Sequence, residues 1–302
     1  MTENFRSGFI AIIGRPNVGK STLINALIGQ KVAAVSPRAQ TTRRRQMGIL
    51  TTETYQMVFV DTPGLHNPRH KLGELMNQEA RESFDGVDAI LWLVDATTDP
   101  SDEDAQIASF LPHRTPLVLG LNKLDLISPE ALTSRQEAYQ ALIQKEARVV
   151  PLSATRGEGL PDLLSLLVAF LPARPAEFDE EQVTDLYEKE IAADLIREAS
   201  LNILRDEVPH GIAVRIDEFT ERANGMAYIA ATMFVERESQ KGIVIGEGGK
   251  MLKRIGSAAR AEIESMGGRK VFLELRVKVL KDWRDDEEWL KRFGYKIKRK
   301  KR

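Results

Sequence analysis

Eight residues near the start of the chain, Gly14-Arg15-Pro16-Asn17-Val18-Gly19-Lys20-Ser21, have the types and spacing to hold a phosphorylated ligand. The two flanking glycines permit backbone conformations and close approach that a side chain obstructs, so successive amide N–H groups can converge on phosphate oxygens. Lys20 adds a point charge. Ser21 offers a hydroxyl to a Mg²⁺ ion bridging the terminal phosphates, and Thr22 follows on the same helix start. Such a P-loop needs a strand before it and a helix after it, and Phe9 to Ile13 and the stretch after Lys20 read that way. The cradle alone accepts any nucleoside triphosphate.

The base is addressed elsewhere. Asn122-Lys123-Leu124-Asp125 follows the apolar run Leu117 to Leu121, and the Asp125 carboxylate can accept two hydrogen bonds from N1–H and the exocyclic amine of guanine. Adenine offers no such donor pair, so a carboxylate left unpaired there discriminates strongly. An isolated Asp would as readily cap a turn; it is the pairing with the phosphate cradle that favours guanine. Ser153-Ala154-Thr155, after Val149 to Leu152, is expected to close over the base through backbone amides, although alone it reads as an ordinary strand-end turn.

Asp61-Thr62-Pro63-Gly64 ends the apolar run Tyr55 to Val60. Asp61 is expected to hold Mg²⁺ through water, and the Gly64 amide to sense the γ-phosphate, whose loss would release the loop beginning at Leu65. Between cradle and Asp61 lies Gln40-Thr41-Thr42-Arg43, in a segment rich in arginine (Arg38, Arg43, Arg44, Arg45) and too polar for core. It suits a mobile switch in which one threonine hydroxyl completes the Mg²⁺ shell, Thr42 in preference to Thr41. The arginines serve equally as solvated surface or as an RNA contact.

The elements that must position these residues alternate as a doubly wound α/β sheet requires. Buried strands are predicted at Phe9 to Ile13, Tyr55 to Val60, Ala89 to Val94, Leu117 to Leu121 and Arg148 to Leu152, with helices after Lys20, Lys71, Ser101, Pro129 and Leu160. Pro172-Ala173-Arg174-Pro175-Ala176 and the acidic Asp179 to Glu181 break the pattern and read as a solvated linker. The expected division is a nucleotide domain over 1–172, a linker over 173–184 and a second domain over 185–302. The second domain reads helix (Asp185 to Arg205), strand (Ile212 to Phe219), strand (Met226 to Val235), helix (Lys250 to Met266), strand (Val271 to Val279), which is α+β.

Gly246-Glu247-Gly248-Gly249 precedes that last helix, the setting of the GXXG loop of a KH domain, where small residues let protein backbone approach nucleic-acid backbone. Lys241, Lys250, Lys253, Arg254 and Arg260 outnumber Glu247 around it and suit phosphates. Ile243, Val244 and Ile245, with Met251, Leu252 and Ile255, are candidates for a groove that packs single-stranded bases, some of them serving core instead. The tail from Trp283 to Arg302 mixes Trp283, Trp289, Phe293 and Tyr295 with Lys and Arg, a composition for gripping RNA, lying on an anionic membrane or forming a plain terminal helix.

Composition sets the bounds. The 302 residues, 42% hydrophobic and 29% charged, describe an ordinary globular chain long enough for two cores. Net charge is only −1, but six of the last seven residues are basic. The absence of cysteine excludes disulfides, thiolate metal sites and a Cys nucleophile. No apolar run reaches the roughly 18 residues of a membrane span, and Met1 to Gly8 does not read as a signal peptide. A cytoplasmic location is expected.

The five nucleotide elements, in this order, resemble the translation-factor class of small GTPases. With Gln-Thr-Thr-Arg and the KH-like segment, the chain resembles the bacterial Era family. The resemblance implies a P-loop GTPase domain followed by a type II KH domain, GTP/GDP and Mg²⁺ as ligands, and binding to the 3′ end of small-subunit ribosomal RNA during maturation of the 30S subunit; a monomer is expected. Peripheral contact with the inner membrane is the alternative role for the tail. Ras-like GTPases place a water-orienting Gln where this chain has Leu65, which cannot polarise water. The resemblance accordingly implies a potassium ion near the phosphates with Asn17 as a ligand, so that Asn17, Lys20, Thr42 and Gly64 form the expected catalytic set. Competing readings are a GTP-binding RNA module with little hydrolysis, a GTPase acting on another RNA such as tRNA, and, least supported, a small-metabolite phosphotransferase.

Overall fold

A computed structural model describes residues 5–36, 38, 41–64, 68 and 70–297. Gln40, Leu65 and the end of the basic tail, Lys298 to Arg302, lie outside the described residues. The chain divides into two compact units, one made of residues 1–33, 42–67 and 76–185 and the other of residues 34–41, 68–75 and 186–302.

The first unit is built on six strands, β1 (Arg6–Ile13), β2 (Gln46–Thr51), β3 (Tyr55–Asp61), β4 (Ala89–Asp95), β5 (Leu117–Asn122) and β6 (Arg148–Pro151), in the order β2-β3-β1-β4-β5-β6. All pairings are parallel except β2 with β3. Helices α1 (Lys20–Ile28), α2 (Lys71–Glu82), α3 (Asp102–Ser109), α4 (Pro129–Gln140) and α5 (Leu160–Val168) alternate with the strands. The central strands are apolar along their whole length because both faces are covered. Ile10, Ile12, Leu91 and Leu93 pack with Leu23 and Ile24 of α1 and Leu163 and Leu167 of α5. The intervening residues Ala11, Ile13, Ile90, Trp92 and Val94 pack on the other face with Ile107 of α3 and Tyr139 of α4. Each fully buried Ile, Leu or Val among them contributes about 1.5–3 kcal/mol. Ser101 caps α3 in a reciprocal capping box with Asp104, and Ser128 caps α4 with Pro129 in its first turn.

Strand β2 is absent from the sequence reading. It follows an arginine-rich stretch and carries Gly48, where a Cβ would collide with Ile28 Cδ1 at 2.5 Å and Ile24 Cγ2 at 2.7 Å. The segment read as a solvated linker is instead laid along the sheet. Ser7 Oγ donates to the Pro175 carbonyl (2.7 Å), the buried Gln56 side chain accepts from the amides of Glu177 (2.8 Å) and Phe178 (3.0 Å), and the Ile49 amide donates to the Val183 carbonyl (2.9 Å). Asp179 to Glu181 remain exposed.

The second unit has helices α6 (Glu188–Ile203), α7 (Glu238–Ile245), α8 (Lys250–Gly267) and α9 (Glu287–Arg292), and a sheet of β7 (Ala213–Glu221), β8 (Ala227–Val235) and β9 (Val271–Val279). The sheet order is β7-β8-β9, with β7 antiparallel and β9 parallel to β8. Helix, two strands, two helices and a strand make the type II KH arrangement. Helix α7 was not predicted, and it corrects one candidate: Val244 is wholly buried in the core with Ile196, Ile229 and Ile255. The tail aromatics are likewise taken up by packing. Trp283 is buried and its Nε1–H donates to the Gly211 carbonyl (2.9 Å), while Trp289 and Phe293 lie against Phe234 with ring centroids 5.8 and 5.4 Å away. Among the described residues no helix is long and apolar enough to cross a membrane.

Candidate functional site

Because β1, β3, β4, β5 and β6 are parallel, the loops leaving their carboxyl ends gather at one edge of the sheet. The phosphate loop follows β1, Asp61 ends β3, Asn122 ends β5 and Ser153 follows β6.

The phosphate loop turns at Gly14 (φ 150°), Asn17 (φ 65°) and Gly19 (φ 102°). A Cβ at Gly14 would sit 2.2 Å from the Leu93 carbonyl oxygen, and one at Gly19 would sit 2.3 Å from Asn122 Nδ2, so both glycines are required by space as well as by φ. Lys20 Nζ donates to the carbonyls of Gly14 (3.0 Å) and Arg15 (2.9 Å). Burial lowers its pKa to about 8, with Asp61 opposing the shift. Val18 is buried, Asn17 is exposed, and Thr22 lies half-buried on α1.

Three oxygen-bearing side chains meet beside Lys20. Asp61 Oδ2 accepts from Ser21 Oγ (2.9 Å), Thr42 Oγ1 (3.0 Å) and Gln46 Nε2 (3.2 Å), and the two hydroxyls lie 2.9 Å apart. Asp61 Oδ1 is buried without a hydrogen-bond partner among the described residues. Burial raises the Asp61 pKa, opposed by Lys20 and by the bonds from Ser21, Thr42 and Gln46. An orphaned buried carboxylate oxygen beside two hydroxyls is the donor set that a hard cation such as Mg²⁺ completes. Thr41 points its hydroxyl elsewhere, to the Arg38 carbonyl at 2.8 Å. Gln46 escaped the sequence reading because only the register of β2, which sets Gln46 opposite Asp61, brings it here.

Thr62 Oγ1 donates to the Ile12 carbonyl (2.9 Å), and Pro63 is buried. Gly64 lies against the phosphate loop: a Cβ there would stand 2.7 Å from the Pro16 nitrogen. Gly64 therefore packs closely on Pro16 of the cradle.

At the base end, Asn122 ties two loops together, its Nδ2 donating to the Val18 carbonyl (2.7 Å) and its Oδ1 accepting from the Ala154 amide (3.0 Å). Ser153 Oγ donates to Asp125 Oδ1 (2.6 Å) and lies 3.2 Å from Thr155 Oγ1. Lys123, at φ 69°, pairs with Asp95 (2.5 Å). Arg156, another residue the sequence reading omitted, reaches within 3.5 Å of Asp125 Oδ2.

In the second unit an open groove of about 390 Å³ runs between Gly249, Leu252, Lys253, Gly256, Ser257 and Arg260 on the α8 side and Leu273 and Leu275 of β9. Gly246 (φ 70°), Gly248 (φ 58°) and Gly249 (φ 78°) shape the loop at its head, and a Cβ at Gly246 would collide with Met251 Cβ at 2.6 Å. Gly256 faces Leu275, 3.4 Å from where its Cβ would be, which keeps the groove open. Lys241, Ile243 and Ile245 stand on α7 and do not line this groove; Ile243 is exposed and Lys241 pairs with Glu238 (3.7 Å). Lys250 and Glu247 pair at 3.8 Å on the exposed loop. Gly256 and Ser257, which the sequence reading omitted, follow Gly249 by seven and eight residues and share a helix face with Leu252, Lys253 and Arg260, a spacing readable in the sequence; Leu273 and Leu275 come from β9 and carry no such signal.

Fold and site define a P-loop GTPase domain joined to a KH domain. The family described as "50S ribosome-binding GTPase" matches residues 9–123, and the KH domain family matches residues 207–284. Over 294 residues, 97% of this chain and 98% of the relative, the sequence is 47% identical to GTPase Era of Ruminiclostridium cellulolyticum. It is 48% identical to GTPase Era of Geotalea uraniireducens over 98% of this chain and all of the relative. Among solved structures, Era in complex with MgGDPNP and nucleotides 1506–1542 of 16S ribosomal RNA matches 97% of the chain with a TM-score of 0.90 and 38% identity. A single-residue variant of Aquifex aeolicus Era bound to GDP·AlF4⁻ matches to the same degree, with a TM-score of 0.90 and 38% identity over 97% of the chain. The chain belongs to the Era family of GTPases.

Proposed function

We propose that this chain is a GTP-hydrolysing switch that binds the 3′ region of 16S-type ribosomal RNA in the α8–β9 groove and assists maturation of the 30S subunit. The observation that carries the reading is the corner formed by Ser21, Thr42 and Asp61, whose unpartnered carboxylate oxygen marks a cation site within a nucleotide cradle. Bound GTP with Mg²⁺ would supply the labile phosphoanhydride. Lys20 neutralises phosphate charge, Ser21, Thr42 and Asp61 hold the cation, the Gly64 amide marks the γ-phosphate, and Asp125 selects guanine. The family description of the first domain mentions the 50S subunit, whereas the KH-bearing relative holds 16S RNA; possession of the KH groove favours the second partner.

Segments 34–41 and 68–75, which precede Thr42 and follow Gly64 in the chain, group with the second unit. There Arg197 of α6 donates to the Thr41 carbonyl, and the Leu72 amide donates to the Arg284 carbonyl (2.9 Å). Ordering of Thr42 and Gly64 by GTP thereby biases the KH unit towards RNA binding, and hydrolysis releases the RNA. The 3′-end RNA is expected to bind at least tenfold more tightly in the presence of a non-hydrolysable GTP analogue than of GDP, about 1.4 kcal/mol of coupling. Equal affinities by fluorescence anisotropy would refute the switch and leave a GTP-binding RNA module.

Asn17 is held at φ 65° with its side chain exposed on the cradle, which suits a monovalent-ion ligand where no glutamine follows Gly64. Turnover is expected to be at least tenfold faster in potassium chloride than in sodium chloride at equal ionic strength, with the difference lost in Asn17→Ala. Identical rates in the two salts would remove potassium from the mechanism. The reading places the protein in the cytoplasm as a monomer. With Trp283 and Tyr295 buried, the described tail retains little apolar surface for a membrane.

A further inference from the structure

Arg15 is a cation inside a phosphate loop, yet its charge is already committed. Its Nε lies 2.8 Å from Asp104 Oδ2 and its Nη2 donates to Thr98 Oγ1 (3.1 Å). Asp104 is wholly buried, and the same Oδ2 accepts from the amide (2.9 Å) and hydroxyl (3.0 Å) of Ser101 at the cap of α3. Were Arg15 to leave for a phosphate, Asp104 would be a buried carboxylate without its counter-charge, which is strongly unfavourable. Thr98 is fixed in turn: its amide donates to the Asp95 carbonyl (3.3 Å), and the buried Tyr139 hydroxyl lies 3.5 Å from the Thr98 carbonyl. Asp95, in the same turn, holds Lys123 beside the base-reading Asp125.

We infer that Arg15, Thr98 and Asp104 form a strut that positions the entry half of the phosphate loop, Arg15 being a positioning residue and not a phosphate ligand. Its backbone carbonyl receives Lys20 Nζ at 2.9 Å, and the next residue, Pro16, is the one Gly64 packs against. One peptide thus sets both the lysine and the seat of the γ-phosphate sensor. The far half of the loop is held separately, by Asn122 on the Val18 carbonyl, so without the strut the entry half keeps only the Lys20 bonds to the Gly14 and Arg15 carbonyls, from the very side chain it must position. A shift of about 1 Å in such a frame costs on the order of a hundredfold in rate.

The inference rests on the nucleotide reading above and is tested on the full chain with Arg15→Met, which keeps the stem and removes the fork while leaving the Ser101–Asp104 cap in place. GDP affinity is expected to fall about tenfold and kcat with GTP by more than KM changes, because GTP relies on Lys20 and Gly64 together. Preference for GDP over IDP should stay as in the wild type, since Asp125 is untouched. Thr98→Val should shift both constants in the same direction by less, and Thr98→Ser should restore them. Wild-type affinity and turnover in Arg15→Met, an effect confined to the melting temperature, or an altered GDP-to-IDP preference would each overturn the strut. Failure of the wild-type protein itself to bind GDP would instead refute the nucleotide reading.

Discussion

Asp125→Asn is expected to lose GTP binding by about 10²–10⁴-fold and to gain turnover of xanthosine triphosphate. The wild-type carboxylate is an acceptor at both oxygens, one already taking the Ser153 hydroxyl at 2.6 Å, and its side chain is only 11% exposed. Guanine presents two donors to it. An amide places its own donor against one of them, and the desolvated pair left facing each other has no water to turn to. Xanthine carries an oxygen where guanine has its amine, so the same amide nitrogen then finds an acceptor. Ser153 can meet either residue, its hydroxyl donating to a carboxylate or to an amide oxygen. Steady-state phosphate release with the two triphosphates, at matched Mg²⁺, reads the switch directly; undiminished GTP turnover in Asp125→Asn would remove Asp125 from base recognition.

Reversing two charges on α8 should have the next largest effect, on RNA alone. Lys253 and Arg260 are both exposed, both line the groove, and stand seven residues apart on one face of the helix, about 10 Å along its axis. That separation matches a run of one to two nucleotides in an extended strand. The pair Lys253→Glu and Arg260→Glu is expected to weaken binding of the 3′-end RNA by at least 10²-fold near physiological salt and to lower the slope of log affinity against log salt by about two. Both residues belong to the second unit, so GTP turnover without RNA should remain within about twofold of wild type, which also reports intact folding. RNA binding that survives the double reversal would move the RNA site away from this groove.

The residues that specify phosphate and base were legible because each motif is local: a strand end, a tight turn and a helix start lie within about eight residues, and glycine, lysine and aspartate have few substitutes in those roles. The GXXG loop was legible for the same reason. Gln46 was not, since its place beside Asp61 depends on the antiparallel register of a strand that Gly48 and the preceding arginines disguise. The tail, open in sequence to RNA, to a membrane or to a plain terminal helix, took the last course and formed α9. A sequence in which Trp and Phe alternate with Lys and Arg suits RNA stacking, but Trp283 and Phe293 close the core of the second unit beneath Phe234. Val244, one residue from an exposed Ile243, met the same fate once α7 formed.

What the sequence itself determined is local chemistry: a glycine-flanked turn carrying Lys20 and Ser21, a carboxylate acceptor at Asp125 and a small-residue loop at Gly246 to Gly249. The tertiary structure alone decided which partners those residues keep. It paired the Arg15 side chain with Asp104, brought Gln46 to the Asp61 carboxylate, and laid residues 173–184 along the first sheet. The physical reason is that burial and ion pairing depend on residues far apart in the chain. Arg15 and Asp104 stand 89 residues apart with three strands of the sheet, β2, β3 and β4, between them in sequence, and nothing in their neighbouring residues records that they meet.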